Sequence, residues 1–335
     1  MCKRIFANQT SEQGDVPFFK IGTIGGQPDA FISKDLFEEY KTKYSYPRKG
    51  EVMITCAGTV GKTIVFDGDD AYFQDSNIVW LSNPKQLYIN SFLNYFLSRV
   101  NWNKLNSTTI TRIYNDNLRN LVINYPSVKE QEKIVALLSL IDSRIAIQNK
   151  VIEKYESLIK ALAYETIGNY TPNTLLSECV RCSSSTLKES DLAEEGAVPA
   201  YGAAGISGFT DVALVKGDSI LITKDGTGVG TLRYVYGPHS FVGTLNSMTP
   251  RDGFYLPYIY YALQNVCFES YRTGQAIPHI YFKDYGKEAI YCPSFDEQKR
   301  LAKGLEMIDS KVGIERATLQ NLYSVKAYLL SAMFI

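Results

Sequence analysis

The sequence predicts an α+β chain in which two similar β-rich domains with short helices are joined by two long helices that form an antiparallel coiled coil. Three observations predict it: an internal repeat, a long apolar heptad closing each half, and short β-branched runs separated by turn residues in front of each heptad.

The repeat comes first because it sets the architecture. Ile110-Thr111-Arg112-Ile113-Tyr114 recurs as Ile277-Pro278-His279-Ile280-Tyr281, and Pro126-Ser127-Val128-Lys129-Glu130-Gln131 recurs as Pro293-Ser294-Phe295-Asp296-Glu297-Gln298. Ile141-Asp142-Ser143 and Ile308-Asp309-Ser310 keep the same offset of about 167 residues, far longer than a solenoid period and right for a duplicated domain. Upstream the register drifts: Gly14-Asp15-Val16-Pro17 matches Gly196-Ala197-Val198-Pro199 only at a longer offset, so the halves differ by loop insertions.

Each half closes on a helix. From Ile134 the seam runs Leu138, Ile141, Ile145, Gln148, Ile152, Tyr155, Ile159, Leu162, alternating steps of four and three. The second seam runs Leu301, Leu305, Ile308, Val312, Glu315, Leu319, Leu322, Lys326, Leu329. Gln148 and Glu315 break the two seams at equivalent places, and Lys326 is a further polar position. Pro126 and Pro293 stand just before the helices, and Gly168 and Pro172 close the first one. A stripe this narrow and this long suits one partner helix better than a broad core, although most amphipathic helices do pack on their own domain.

The fronts of the halves read as strands and turns. Val52-Met53-Ile54-Thr55, Thr63-Ile64-Val65-Phe66, Ser219-Ile220-Leu221-Ile222 and Leu232-Arg233-Tyr234-Val235-Tyr236 are the strand candidates, and 89–100 and 256–266 the short helices. The expected division is a first β-rich domain over 1–128, a central helix over 129–168, a second domain over 169–295 and a terminal helix over 296–335. Leu175-Leu176-Ser177-Glu178-Cys179-Val180 leads into the second domain, whereas the first begins at Met1, equivalent to about Ser183. The opening strand of the first domain is therefore expected to be missing, as in a truncated or recombined gene.

Composition narrows the chemistry. The chain of 335 residues holds 35 Lys+Arg against 35 Asp+Glu, so any nucleic-acid binding has to come from local basic patches. No apolar run approaches the ~20 residues of a membrane span, and Met1-Cys2-Lys3-Arg4 opens no secretory signal, so a cytoplasmic protein without membrane contact is expected. Six cysteines include one Cys179-x-x-Cys182 pair but no second pair at ligand spacing, which argues against zinc and for reduced, mostly buried thiols.

Cys56-Ala57-Gly58-Thr59-Val60-Gly61-Lys62-Thr63 imitates a phosphate loop, but its first position is Cys56 and another β-type run follows, where a phosphate site needs a helix N-terminus. Its counterpart Asp225-Gly226-Thr227-Gly228-Val229-Gly230-Thr231 has no lysine. A metal-dependent nuclease built on Asp29, Glu39 and Lys41 stays open as a rival reading, because those residues fit the loose carboxylate–carboxylate–lysine pattern. A scaffold or decoy with no DNA role is a third. The two histidines, His239 and His279, belong to no recognisable catalytic constellation, and no cofactor or metal is expected.

The segments Lys49-Gly50-Glu51-Val52-Met53-Ile54-Thr55-Cys56-Ala57-Gly58-Thr59-Val60-Gly61-Lys62, Gln74-Asp75-Ser76-Asn77-Ile78-Val79-Trp80 and Pro126 to Ile134 leading into Ile141-Asp142 resemble the target-recognition domain and conserved helix of type I restriction-modification specificity subunits, twice over nearly the whole chain. The resemblance implies two domains that each read one half of an asymmetric split site in double-stranded DNA, spaced by antiparallel helices acting as a ruler. It implies as partners two methyltransferase (M) subunits and restriction/translocase (R) subunits, with no catalytic site in this chain.

Candidate DNA-binding residues are Lys43, Arg48, Thr59, Lys62, Asn77, Thr108 and Arg112 in the first domain, and Lys224, Thr227, Arg233, Asn246, Gln275 and His279 in the second. Arg112 and His279 lead, because they occupy equivalent places with different chemistry, as readers of different half-sites should. Pairing Ile134 with Leu329 and Leu162 with Leu301 brings Gln148 opposite Glu315. That register is expected to set the helix pair and to place the reading domains at opposite ends, facing grooves about 34 to 36 Å apart.

Overall fold

The computed structural model describes residues 1–83, 86–102, 112–274 and 277–334. The chain divides into two compact units, Met1–Ile147 with Leu319–Ile335, and Gln148–Thr318.

In the first unit, β1 (Val16–Phe19) pairs antiparallel with β2 (Phe31–Ile32) and parallel with β5 (Tyr72–Phe73). A second sheet is centred on β3 (Val52–Thr55), whose four β-branched or apolar residues are all buried because it lies between β4 (Thr63–Val65) and β6 (Ile78–Leu81), both antiparallel to it. Helix α1 (Lys34–Lys43) starts at Ser33, whose hydroxyl accepts the Leu36 N–H, and carries Asp35 in its first turn and Lys41 and Lys43 in its last, as the helix dipole favours. Its Phe37 packs with Phe18, Tyr72 and Phe73 in one core. Helix α2 (Asn90–Arg99) puts Leu93 and Leu97 into a second core with Val52, Ile54 and Trp102, and the short α3 (Asn115–Arg119) follows.

The second unit repeats this plan with more pairing. It contains part of α4 (Val128–Ala163), then β7 (Thr174–Leu175), α5 (Leu176–Cys179), β8 (Val180–Ser184), β9 (Val198–Gly202), β10 (Gly205–Thr210), β11 (Ser219–Thr223), β12 (Leu232–Val235), β13 (Ser240–Phe241), β14 (Leu245–Pro250), α6 (Leu256–Leu263), α7 (Phe282–Tyr285) and β15 (Ala289–Ile290), and closes with part of α8 (Phe295–Met333). One sheet runs β10-β9-β13, the central one β12-β11-β14-β8, and β15 pairs with β7. Strand β11 is buried throughout, as β3 is in the first unit. Among the described residues the central sheet has three strands in the first unit and four in the second. The fourth, β8, pairs with β14 over five residues from Asn246↔Ser184 to Pro250↔Val180.

The long helices begin the same way. At α4, the Ser127 hydroxyl and N–H both donate to the Glu130 carboxylate (2.7 and 3.2 Å), which satisfies groups the first turn leaves open. One residue on, Gln131 is fully buried: its carbonyl accepts the Ile89 N–H (2.8 Å) and its amide donates to the carbonyls of Pro126 and Leu87 (2.9 and 3.2 Å). In the second unit Gln298, also buried, accepts the Tyr255 N–H (2.8 Å) and donates to Pro293 and Gly253 (2.9 and 3.5 Å). The repeated Glu-Gln pair is thus a cap followed by a clamp that ties the start of each long helix to the loop ahead of α2 or α6.

Within the first unit, Leu138 clusters with Phe92 and Phe334, and one turn on Asp142 accepts the Tyr95 hydroxyl (2.8 Å) and pairs with Lys326 (2.5 Å), so the segments of α4 and α8 run antiparallel. The polar seam position Lys326 is explained by that ion pair. Within the second unit, Gln148 Nε2 donates to Glu315 Oε2 (2.5 Å) and to the Glu315 carbonyl (3.0 Å), while Arg316 pairs with Glu156 (2.6 Å).

Candidate nucleic-acid interface

In the first unit, the turn between β3 and β4 is fixed by its own backbone. Gly58 and Gly61 have φ of +65° and +84°, which favours glycine, and a Cβ on Gly61 would lie 2.1 Å from the Trp102 ring. Thr55 closes the loop: its hydroxyl donates to the Thr59 carbonyl and accepts the Lys62 N–H (3.0 Å). The chain leading to α3 lies beside it, with the Ile113 N–H donating to the Cys56 carbonyl (2.9 Å), while the Cys56 N–H donates to the Asn77 carbonyl (2.7 Å). Arg112 is therefore brought next to the turn, 6.0 Å over the exposed ring of Tyr114. Burial pushes the Cys56 thiol up to about 11, with the Arg112 charge acting in the opposite direction.

The second unit rebuilds this arrangement between β11 and β12. Gly226 and Gly230 have φ of +94° and +84°, and a Cβ on Gly230 would lie 2.6 Å from Phe268, the counterpart of Trp102. The Ile280 N–H donates to the Lys224 carbonyl (2.9 Å) and the Gly226 N–H to the Pro278 carbonyl (2.9 Å). His279 Nδ1 is 2.6 Å from Asp225 Oδ1, with both side chains about one-third exposed, and its ring stacks on the exposed Tyr281. Where the second unit has Asp225, the first has Ala57.

Each unit thus gathers part of its predicted set. Thr59, Lys62 and Arg112 collect at the first turn and Lys224, Thr227 and His279 at the second, with Thr59, Lys62 and Thr227 exposed. Asn77 is half-buried and serves the first turn through its carbonyl. Lys43 lies at the end of α1 in an i,i+4 ion pair with Glu39 (2.9 Å), and Arg48 is exposed on the loop after it. Arg233 on β12 lies 6.0 Å over the Tyr201 ring. Thr108 and Gln275 fall outside the described residues.

Asn246 requires a correction. It is 4% exposed, its carbonyl accepts the Ser184 hydroxyl (2.8 Å) and its amide donates to the Tyr285 hydroxyl (3.1 Å), so it belongs to the core of the four-stranded sheet and not to a surface. Asp225, Tyr114 and Tyr281 were not singled out by sequence; the repeated Ile-x-x-Ile-Tyr pattern carried the signal for both tyrosines.

The alternative chemistries are not assembled. Asp29 pairs with Lys20, Glu39 with Lys43 and Lys41 with Asp70. Among the described residues no group of three or more His, Cys, Asp or Glu side chains could hold a metal, and no helix is long and apolar enough to cross a membrane. His239 meets the Ser219 hydroxyl (2.8 Å), but both residues are fully buried. Its Nδ1–H donates to the Gly237 carbonyl (2.8 Å), and burial lowers its pKa, which keeps the ring neutral.

Comparison with known proteins gives the family. The model of the type I restriction modification DNA specificity domain matches residues 1–157 and again 180–323, and the chain belongs to that family. It is 53% identical over 138 residues to a putative type I restriction enzyme specificity subunit of Haemophilus influenzae, covering 41% of this chain and 36% of the relative. It is 28% identical over 251 residues to a putative type I specificity subunit of Mycoplasma genitalium, covering 68% of this chain and 65% of that protein. The chain thus matches less than two thirds of the length of either relative. A crystal structure of a type I restriction-modification S subunit from M. genitalium shares the fold over all of this chain and 92% of its own, with a TM-score of 0.58 at 22% identity.

Proposed function

We propose that this chain is a non-catalytic DNA sequence-specificity subunit of a type I restriction-modification system. It binds a split, asymmetric target in double-stranded DNA and positions two methyltransferase subunits and, for cleavage, restriction/translocase subunits. The observation that carries this reading is the duplicated turn: the same glycine-shaped scaffold presents Arg112 over Tyr114 in one unit and His279, held by Asp225, beside Tyr281 in the other.

Equivalent scaffolds with different side chains suit two different half-sites. A guanidinium favours the paired acceptors of a guanine edge, while an imidazole whose Nδ1 is engaged presents a single nitrogen at Nε2. Lys62 and Lys224, each flanking a turn, supply phosphate contacts that orient the protein without reading sequence. The Gln148–Glu315 contact sets the register of the helix pair, and hence the unread spacer. Leu140 and Ile147 on α4 and Met307 and Ile314 on α8 are exposed, recur at the repeat offset and give the partner subunits apolar docking positions.

The test is methylation mapping in cells carrying this chain with methyltransferase partners. A bipartite motif with a fixed spacer is expected; absence of sequence-dependent methylation would leave the scaffold reading in its place.

A further inference from the structure

The sequence draws attention to the Cys179-x-x-Cys182 pair, but the fold separates those two thiols. Cys179 ends α5, whereas Cys182 lies on β8 with its sulfur 3.9 Å from the Tyr285 hydroxyl. The thiol that Cys179 meets is Cys292, 113 residues away, at a sulfur–sulfur distance of 3.6 Å. We propose that Cys179 and Cys292 are a thiol–disulfide site: a two-electron oxidant of the hydroperoxide class links them and a dithiol reductant releases them.

The backbone around both residues fixes this approach. Strand β7, just before α5, pairs with β15 through Ala289↔Leu175 and Ile290↔Thr174. The Leu176 N–H donates to the Glu288 carbonyl (2.9 Å), and the Asn173 N–H to the Ile290 carbonyl (3.1 Å). The side chain of Asn173 then grips Cys292 itself, accepting its N–H (2.8 Å) and donating to its carbonyl (3.1 Å). A disulfide bond of about 2.05 Å needs only a modest side-chain movement from here.

Access is unequal. Cys179 is fully buried and Cys292 is half-buried, so the oxidant meets Cys292 first. The hydrogen bond between the two thiols favours the thiolate at Cys292 and, together with burial, disfavours it at Cys179, in the same sense as the difference in access. The Cys292 thiolate attacks one peroxide oxygen, the O–O bond breaks, and a sulfenic acid and hydroxide result. The Cys179 sulfur then attacks the sulfenic sulfur, the S–S bond forms and the S–O bond breaks, releasing water. Overall two thiols and one hydrogen peroxide give one disulfide and two waters, with two electrons passing from sulfur to peroxide. The bond would fasten α5, at the foot of the four-stranded sheet, to the segment that leads into α8. Redox state would thereby govern how tightly the second unit's sheet is held to its helix.

The experiment uses the full chain, exposed to graded hydrogen peroxide, alkylated, digested without reductant and analysed by mass spectrometry. The expected product is a peptide pair joined through Cys179 and Cys292, lost on dithiothreitol treatment and retained in Cys182→Ser. In Cys179→Ser, Cys292 should accumulate as a sulfenic acid captured by dimedone. A bridge between Cys179 and Cys182, or both Cys179 and Cys292 remaining alkylatable at doses that oxidise the exposed Cys267, overturns the proposal. The wild-type cross-link decides the matter even if a serine variant folds poorly.

Discussion

The two units solve the same problem with different completeness. In the second, β14 is flanked on both sides, and its Asn246 is sealed beneath β8 by the Ser184 and Tyr285 hydroxyls. In the first, β6 has only β3 beside it among the described residues, and Val79 stands where the second unit has Asn246. A buried amide is stable only where partners surround it, so the polar residue and the additional strand occur together, and the unit that shows no such strand among its described residues has an aliphatic residue instead. The turns show the converse: scaffolds held by equivalent hydrogen bonds and glycines carry unlike surface chemistry. Cores follow the pairing available, and turn tips are free to vary because little packs on them.

The comparison can be broken most severely at the glycines. Gly61→Val places a side chain against Trp102 at a left-handed backbone position, at an expected cost of about 3 kcal/mol from strain and overpacking together. Calorimetry should show the first unit destabilised and the second unchanged, and recognition of one half-site lost. The clamps come next. Gln298→Ala leaves the Tyr255 N–H and the Pro293 carbonyl without their partner, costing about 1–3 kcal/mol for each buried group, and Gln131→Ala should do the same in the first unit. Denaturant titration that finds either change neutral contradicts the role given to the Glu-Gln pair.

The helix pair sharpens the contrast between polar and apolar contacts. Gln148→Leu should destabilise by leaving Glu315 partly unpaired, and Glu315→Leu by leaving the Gln148 amide with only the backbone carbonyl of position 315 as its acceptor. The double change to leucine should recover most of the stability, with loss of a unique register as its consequence. The Lys311 ammonium and the Gln148 amide hold the Glu315 carboxyl below the ordinary carboxylate value. Its contribution is therefore complete above that ordinary value and is lost as pH falls through the lower folded one, a dependence that Glu315→Leu should remove from the acid unfolding curve. The smallest expected effect is at Asp225→Ala, which leaves the fold intact and changes the bases accepted by the second unit alone, because His279 loses the partner that orients it.

Much of this was legible in the sequence, for physical reasons. The repeat located equivalent turns, and the run Val52–Thr55 matched a strand buried on both faces. Helices expected over 89–100 and 256–266 occur as Asn90–Arg99 and Leu256–Leu263, shortened where backbone ends fray. What stayed hidden depends on contacts distant in the chain. Asn246 read as a surface amide because its partners lie 62 and 39 residues away. Gln131 and Gln298 were visible as a signature without a purpose, since their bonds reach residues more than 40 positions upstream. Cys292 was invisible as the partner of Cys179, because spacing pointed to Cys182.

The central claim is that the two units are separate readers on one helix pair. It is tested most directly by replacing residues 1–128 with the same region of a related subunit and mapping genomic methylation with the partner subunits present. One half of the bipartite motif should change while the other half and the spacer stay as they were. A motif altered in both halves, or unchanged, contradicts the account.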